Sequence, residues 1–105
     1  MSEELRNLIN AQEALRKKYP SVLKNYKEKG REYRKLYADK LMHIYEQYAS
    51  QPLRDNAVIR EMEQEEITSE WQQAEYEYEL WQEEKWILHD QTKLMIQLSY
   101  SPIGE

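Results

Sequence analysis

Between Ile67 and Met95 the apolar and small residues recur at alternating steps of four and three: Ile67, Trp71, Ala74, Tyr78, Trp81, Lys85, Leu88, Thr92, Met95. This is a heptad seam, the signature of a long helix that lays one narrow stripe against another helix. Lys85 interrupts it with a charge. A second set of apolar positions precedes it, with Leu5, Leu8, Ile9 and Leu15 first, then Val22, Leu23, Tyr26, Tyr33, Leu36, Tyr37, Leu41, Ile44 and Tyr48. Tyr19, Tyr26 and Tyr33 are seven apart, so one face continues across Pro20.

Punctuation divides the two sets. Ser2, Glu3 and Glu4 read as a helix start, a hydroxyl for free N–H groups and two carboxylates at the positive end of the dipole. Pro20 removes a backbone donor and predicts a kink or a short break. Gly30 marks either close packing or a soft spot. The strongest punctuation is Ser50-Gln51-Pro52-Leu53-Arg54-Asp55-Asn56, near the chain midpoint, which predicts a turn over 50–55 and a helix start at Asp55 or Asn56. Pro102 and Gly104 predict the stop near Ser99. The predicted fold is all-α, a single domain over 1–105. Arm one (3–49), kinked near Pro20, folds back on arm two (56–99) as a long antiparallel, coiled-coil-like hairpin with a short tail over 100–105.

Charge supports the pairing. Residues 16–40 hold ten Lys and Arg against three acids, whereas residues 61–90 hold eleven acids against Lys85. With the turn centred near residue 52 or 53, the basic segment faces the acidic one. Each exposed pair is worth only about 0.3 kcal/mol, so the pattern sets orientation more than stability. This register places Tyr33 and Tyr37 near Trp71, Tyr26 near Tyr78 and Trp81, and Tyr19 near Trp86. The predicted core seam is Ile67, Trp71, Tyr78, Trp81, Leu88 and Met95 with Tyr26 and Tyr33, and both Trp71 and Trp81 are expected to be mostly buried.

Towards the chain ends, Trp86, Ile87, Leu88, Leu94, Met95, Ile96 and Leu98 surround the helix, which one opposing helix cannot cover. The surplus predicts a homodimer, a dimeric four-helix bundle with an interface at Trp86, Ile87, Leu94 and Leu98, or docking of another, unknown protein.

Composition narrows the chemistry. The 105 residues carry a net charge of -5, 33 % charged residues, 2 Gly, 3 Pro, 12 Tyr and Trp, no Phe and no Cys, and the mean hydropathy is -1.05. Absence of Cys excludes disulfides and thiol chemistry. The opening MSEELRNLIN lacks the basic and apolar regions of a signal peptide, and no apolar run matches a membrane span, so a cytoplasmic protein without membrane partners is the expectation. His43 with Glu46 and His89 with Asp90 are isolated polar pairs that do not make a metal set, and the Glu-rich run over 61–84 reads as a solvated face. No phosphate loop or nucleophile with its base is present. The expectation is a non-enzymatic protein with no cofactor, metal or catalytic residue, acting through protein–protein interaction or assembly. Two other roles use the charged edges. Lys24, Lys27, Arg31, Arg34 and Lys35 form a candidate nucleic-acid edge on arm one, less favoured because the net charge is negative, and the acidic arm two could act as a DNA mimic.

The Leu15-Arg16-Lys17-Lys18-Tyr19-Pro20 entry, the proline turn, and a second helix rich in Glu, Tyr and Trp that ends near Gln97-Leu98-Ser99 resemble the small, charged, all-helical hairpin proteins encoded in tailed-phage and prophage genomes. That resemblance covers most of the chain and implies an interaction role without a named target.

Overall fold

The computed structural model describes residues 2–100 as three helices, α1 (Glu3–Ile44), α2 (Gln51–Glu63) and α3 (Glu66–Tyr100), with no strand among the described residues. The tail with Pro102 and Gly104 lies outside the described residues.

α1 begins as read: the Ser2 Oγ accepts from the Leu5 N–H at 3.1 Å, with Glu3 and Glu4 in the first turn. Pro20 lies inside the helix, and the predicted break does not occur. The ring is exposed, so the carbonyl one turn earlier that loses its donor faces water, which can satisfy it.

The predicted turn is replaced by a helix start. α1 ends at Ile44, short of 49, and the residues read as a turn over 50–55 open α2. Ser50, extended at φ -116° and ψ 150°, caps it by accepting from the Leu53 N–H at 3.4 Å, and Pro52 sits in the first turn. Proline there gives up a donor that the helix would leave unpaired anyway, and its fixed φ suits the helix. The uninterrupted arm two over 56–99 is likewise broken, at Gln64 and Glu65. The Gln64 N–H donates to the Glu61 carbonyl at 3.2 Å and the Glu65 N–H to that of Met62 at 3.0 Å, and the Thr68 hydroxyl also donates to Met62 O.

The chain forms two compact units, one comprising Leu23–Tyr76 and the other the chain up to Val22 with that from Glu77 onward. In the first, the end of α1, all of α2 and the start of α3 enclose Ile44, Val58 and Met62, 2 %, 0 % and 1 % exposed. Tyr33, Leu36, Tyr37, Leu41, Ala57 and Ile67 pack round them. Complete burial of a side chain such as Val58 or Met62 is worth about 1.5–3 kcal/mol, and the break at 64–65 lets α2 deliver both. Further along, Trp71 lies between Tyr26 and Tyr33, with ring centroids 5.0 and 6.4 Å away, and against Gly30.

The described residues of the other unit form two antiparallel helical stretches. Leu5 and Leu15 are its buried α1 residues. Tyr19 packs on Trp81 at 4.5 Å, the Trp81 indole N–H donates to the Leu15 carbonyl at 2.8 Å, and the Gln12 amide donates to Leu88 O at 2.9 Å and to the Thr92 hydroxyl at 2.6 Å.

The register differs from the expected one. Tyr19 meets Trp81 instead of Trp86, and Tyr26 meets Trp71 instead of Tyr78 and Trp81. The offset is five residues at Tyr19 and seven or more at Tyr26, whereas Tyr33 meets Trp71 as expected. It arises because the reversal is made by the 45–50 segment, with α2 already formed beyond it, so that facing pairs are centred nearer residue 50.

Candidate interaction surfaces

Periodicity on α3 produces two apolar stripes. The seam residues Ile67, Trp71, Tyr78, Trp81, Leu88, Thr92 and Met95 are half-buried, Ala74 is buried, and Lys85 is exposed. Trp71 and Trp81 are both largely covered, as expected, though one helix opposite leaves part of each indole exposed. Leu80, Ile87 and Leu94 repeat at seven and Leu98 follows at four, one residue out of step with the seam and thus about 100° round the helix. Their exposures are 38 %, 55 %, 56 % and 59 %. Beside this stripe, Leu8, Leu94 and Met95 line a shallow groove of about 440 Å³ edged by Glu4, Asn7 and Gln91.

Trp86 is 59 % exposed but does not share that flank. It lines a different groove of about 640 Å³ with Tyr19, Trp81, Lys85 and His89. There the Lys85 ammonium sits 5.7 Å from the Trp81 ring and 5.4 Å from that of Trp86, and His89 meets Trp86 edge-on at 5.9 Å. The predicted interface set therefore divides: Ile87, Leu94 and Leu98 stand together, Trp86 apart. Leu80 belongs with the first three and was missed, although its spacing of seven from Ile87 marks it. Glu77, Glu83, Glu84 and Asp90, all exposed, flank the stripe.

In the Leu23–Tyr76 unit the cations of α1 sort onto two flanks. Lys29 reaches Glu70 at 2.7 Å and Glu32 at 3.8 Å, and Lys40 reaches Glu65 at 2.9 Å and Glu61 at 3.6 Å. Their side chains are only 28 % and 18 % exposed. The hydrogen bond that Lys29 donates to Glu70 holds its pKa above the usual value, and the one that Lys40 donates to Glu65 does the same for Lys40. Lys24, Lys27, Arg31, Arg34 and Lys35 lie on another flank and are exposed, with Lys24 3.9 Å from Glu28. The opposite arm thus neutralises particular lysines and not the basic segment as a whole.

Burial pushes the Tyr37 hydroxyl pKa up, aided by the Asp55 charge. Near the reversal, Arg54 Nε donates to Tyr48 O at 2.8 Å while its guanidinium lies 3.8 Å over the Tyr45 ring, a clamp the sequence reading did not identify. His43 and Glu46 are exposed at the end of α1. Among the described residues no group of three or more His, Cys, Asp or Glu is placed to hold a metal ion, and no helix is long and apolar enough to cross a membrane.

No protein-family model matches the chain, no curated protein is significantly similar to it, and no solved structure matches it significantly.

Proposed function

We propose that the protein is a non-enzymatic interaction or assembly protein that associates with a second copy of itself through the two-helix unit, completing a dimeric four-helix bundle in the cytoplasm. The observation that carries this reading is the stripe of Leu80, Ile87, Leu94 and Leu98, 38–59 % exposed in a unit whose described residues form two helical stretches. Covering about 300 Å² of such surface is worth about 7 kcal/mol before the costs of association. The acids that flank the stripe repel an identical α3 laid alongside. The second copy therefore contributes its α1, whose Lys17 and Lys18 are exposed cations. An interaction role of this kind also accords with the phage-type helical proteins that the sequence resembles.

The test is light scattering at micromolar concentration on the wild type and on Ile87→Glu/Leu94→Glu. The wild type should be a dimer and the variant a helical monomer. A wild-type monomer, or a variant dimer of unchanged stability, would defeat the proposal.

A further inference from the structure

The five exposed cations of α1 carry a different inference. We propose that Lys24, Lys27, Arg31, Arg34 and Lys35 form a track for the sugar–phosphate backbone of a nucleic acid, bound without regard to sequence.

Their positions make the track continuous. From Lys24 to Lys35 the helix rises about 16 Å, and successive steps to Lys27, Arg31 and Arg34 rise about 4.5, 6 and 4.5 Å. At 100° per residue all five fall within an arc of about 100°, with Glu28 about 20° beyond its edge. Glu28 and Glu32 lie on the neighbouring flank, on the way round to Lys29. The acidic segment that could neutralise the row instead spends Glu61, Glu65 and Glu70 on Lys40 and Lys29. Lys24 is paired with Glu28 at 3.9 Å, while the ion pairs that cross from α1 to the acidic segment are made on the other flank, by Lys29 and Lys40.

The composition of the row selects the partner. A protein partner needs an apolar centre to bury, and this flank offers none between Lys24 and Lys35. A phosphate backbone needs charge alone, and the two guanidinium groups, three residues apart, suit phosphate oxygens bidentately. With no base-reading aromatic or amide in the row, binding is electrostatic and releases counterions.

The experiment is fluorescence anisotropy with labelled 20-mer oligonucleotides, single- and double-stranded, titrated with the full chain from about 30 to 200 mM salt. Duplex binding should give a slope of log K against log salt of about -4.5, and single-stranded binding about -3.5; the tighter arm identifies which form is preferred. Replacing all five with Gln keeps good helix formers at exposed positions and should weaken binding more than tenfold with an unchanged circular dichroism spectrum. Lys18→Gln/Lys93→Gln, the first on another flank of α1 and the second on α3, should stay within twofold of wild type. Should the fivefold variant fail to fold, Lys27→Gln and Arg31→Gln singly should each lower the slope by about 0.9. Three results overturn the proposal: no binding at about 30 mM salt, binding by the substituted chains within twofold of wild type, or equal affinity for polyglutamate, which would make the row a site for acidic proteins.

Discussion

Gly30 and Trp71 touch so closely that a β-carbon on residue 30 would stand 2.9 Å from both Cη2 and Cζ3 of the indole. The glycine is buried, and the ring it meets is held by Tyr26 and Tyr33. Of the two meanings a mid-helix glycine carries, close packing is the one realised. Gly30→Ala gains about 1 kcal/mol of helix propensity and pushes against a ring that cannot swing aside. A net loss of about 1–2 kcal/mol in urea denaturation is expected, and Trp71→Phe in the same chain should recover part of it. A stabilised Gly30→Ala protein would show that the ring gives way freely.

Pro20 offers the opposite experiment. The helix continues through it, so Pro20→Ala restores a donor in an exposed helix interior and removes a ring that crowds the preceding turn. Stability should rise by about 1–3 kcal/mol. A fall would mean that the helix bends at Pro20 in a way its packing needs.

Alkaline stability follows from three groups. The Tyr37, Lys29 and Lys40 pKa values are all raised on folding, by burial for Tyr37 and by the Glu70 and Glu65 hydrogen bonds for the lysines. Between the unfolded and folded values the unfolded chain has released its proton while the folded one keeps it, so stability falls as pH rises. The unfolded values are 10.0 for Tyr and 10.5 for Lys. The urea midpoint should be insensitive to these groups below pH 10 and decline above it, and Tyr37→Phe with Lys40→Gln should flatten the decline. An equally steep decline in that variant would assign it to other residues.

Trp81 joins ring packing on Tyr19 to an indole hydrogen bond with the Leu15 carbonyl. Trp81→Phe keeps most of the packing and should cost about 1–2 kcal/mol, whereas Trp81→Ala should cost about 2–4, less than a fully enclosed tryptophan would. Equal costs would assign the whole effect to the indole N–H.

Trp86 and Ile87 are consecutive yet separated by about 100° of helix. With Trp71 and Trp81 replaced by Phe, iodide quenching of Trp86 should not change with protein concentration, although the association state does. Protection on dimerisation would move the interface to the aromatic groove.

The elements that repeat were legible in the sequence. The α3 seam separates half-buried from exposed positions because a heptad stripe needs only local spacing, and the start at Ser2 is local chemistry. What escaped depends on tertiary contact. Gln64 and Glu65 carry no Gly or Pro, and they end a helix because Val58 and Met62 must turn towards Ile44. Ser50 and Pro52 read equally as a turn and as a capped helix start, and choosing the turn displaced the register. Charge gave the sign of each arm, but only geometry separates Lys29 and Lys40 from the other five cations.

Helical stripes are self-similar: slide one past the other by seven residues and leucine again meets leucine, so apolar spacing alone leaves several alignments close in energy. Gln12 breaks that degeneracy. Its amide donates to both Leu88 O and the Thr92 hydroxyl, and a slip of seven that put Trp81 and Lys85 in their places would set an ammonium where the hydroxyl stood and lose that bond, at a cost of about 1 kcal/mol. One neutral side chain thus works as the tooth of a ratchet, holding in place a pair of helices whose grease is indifferent to where they stop.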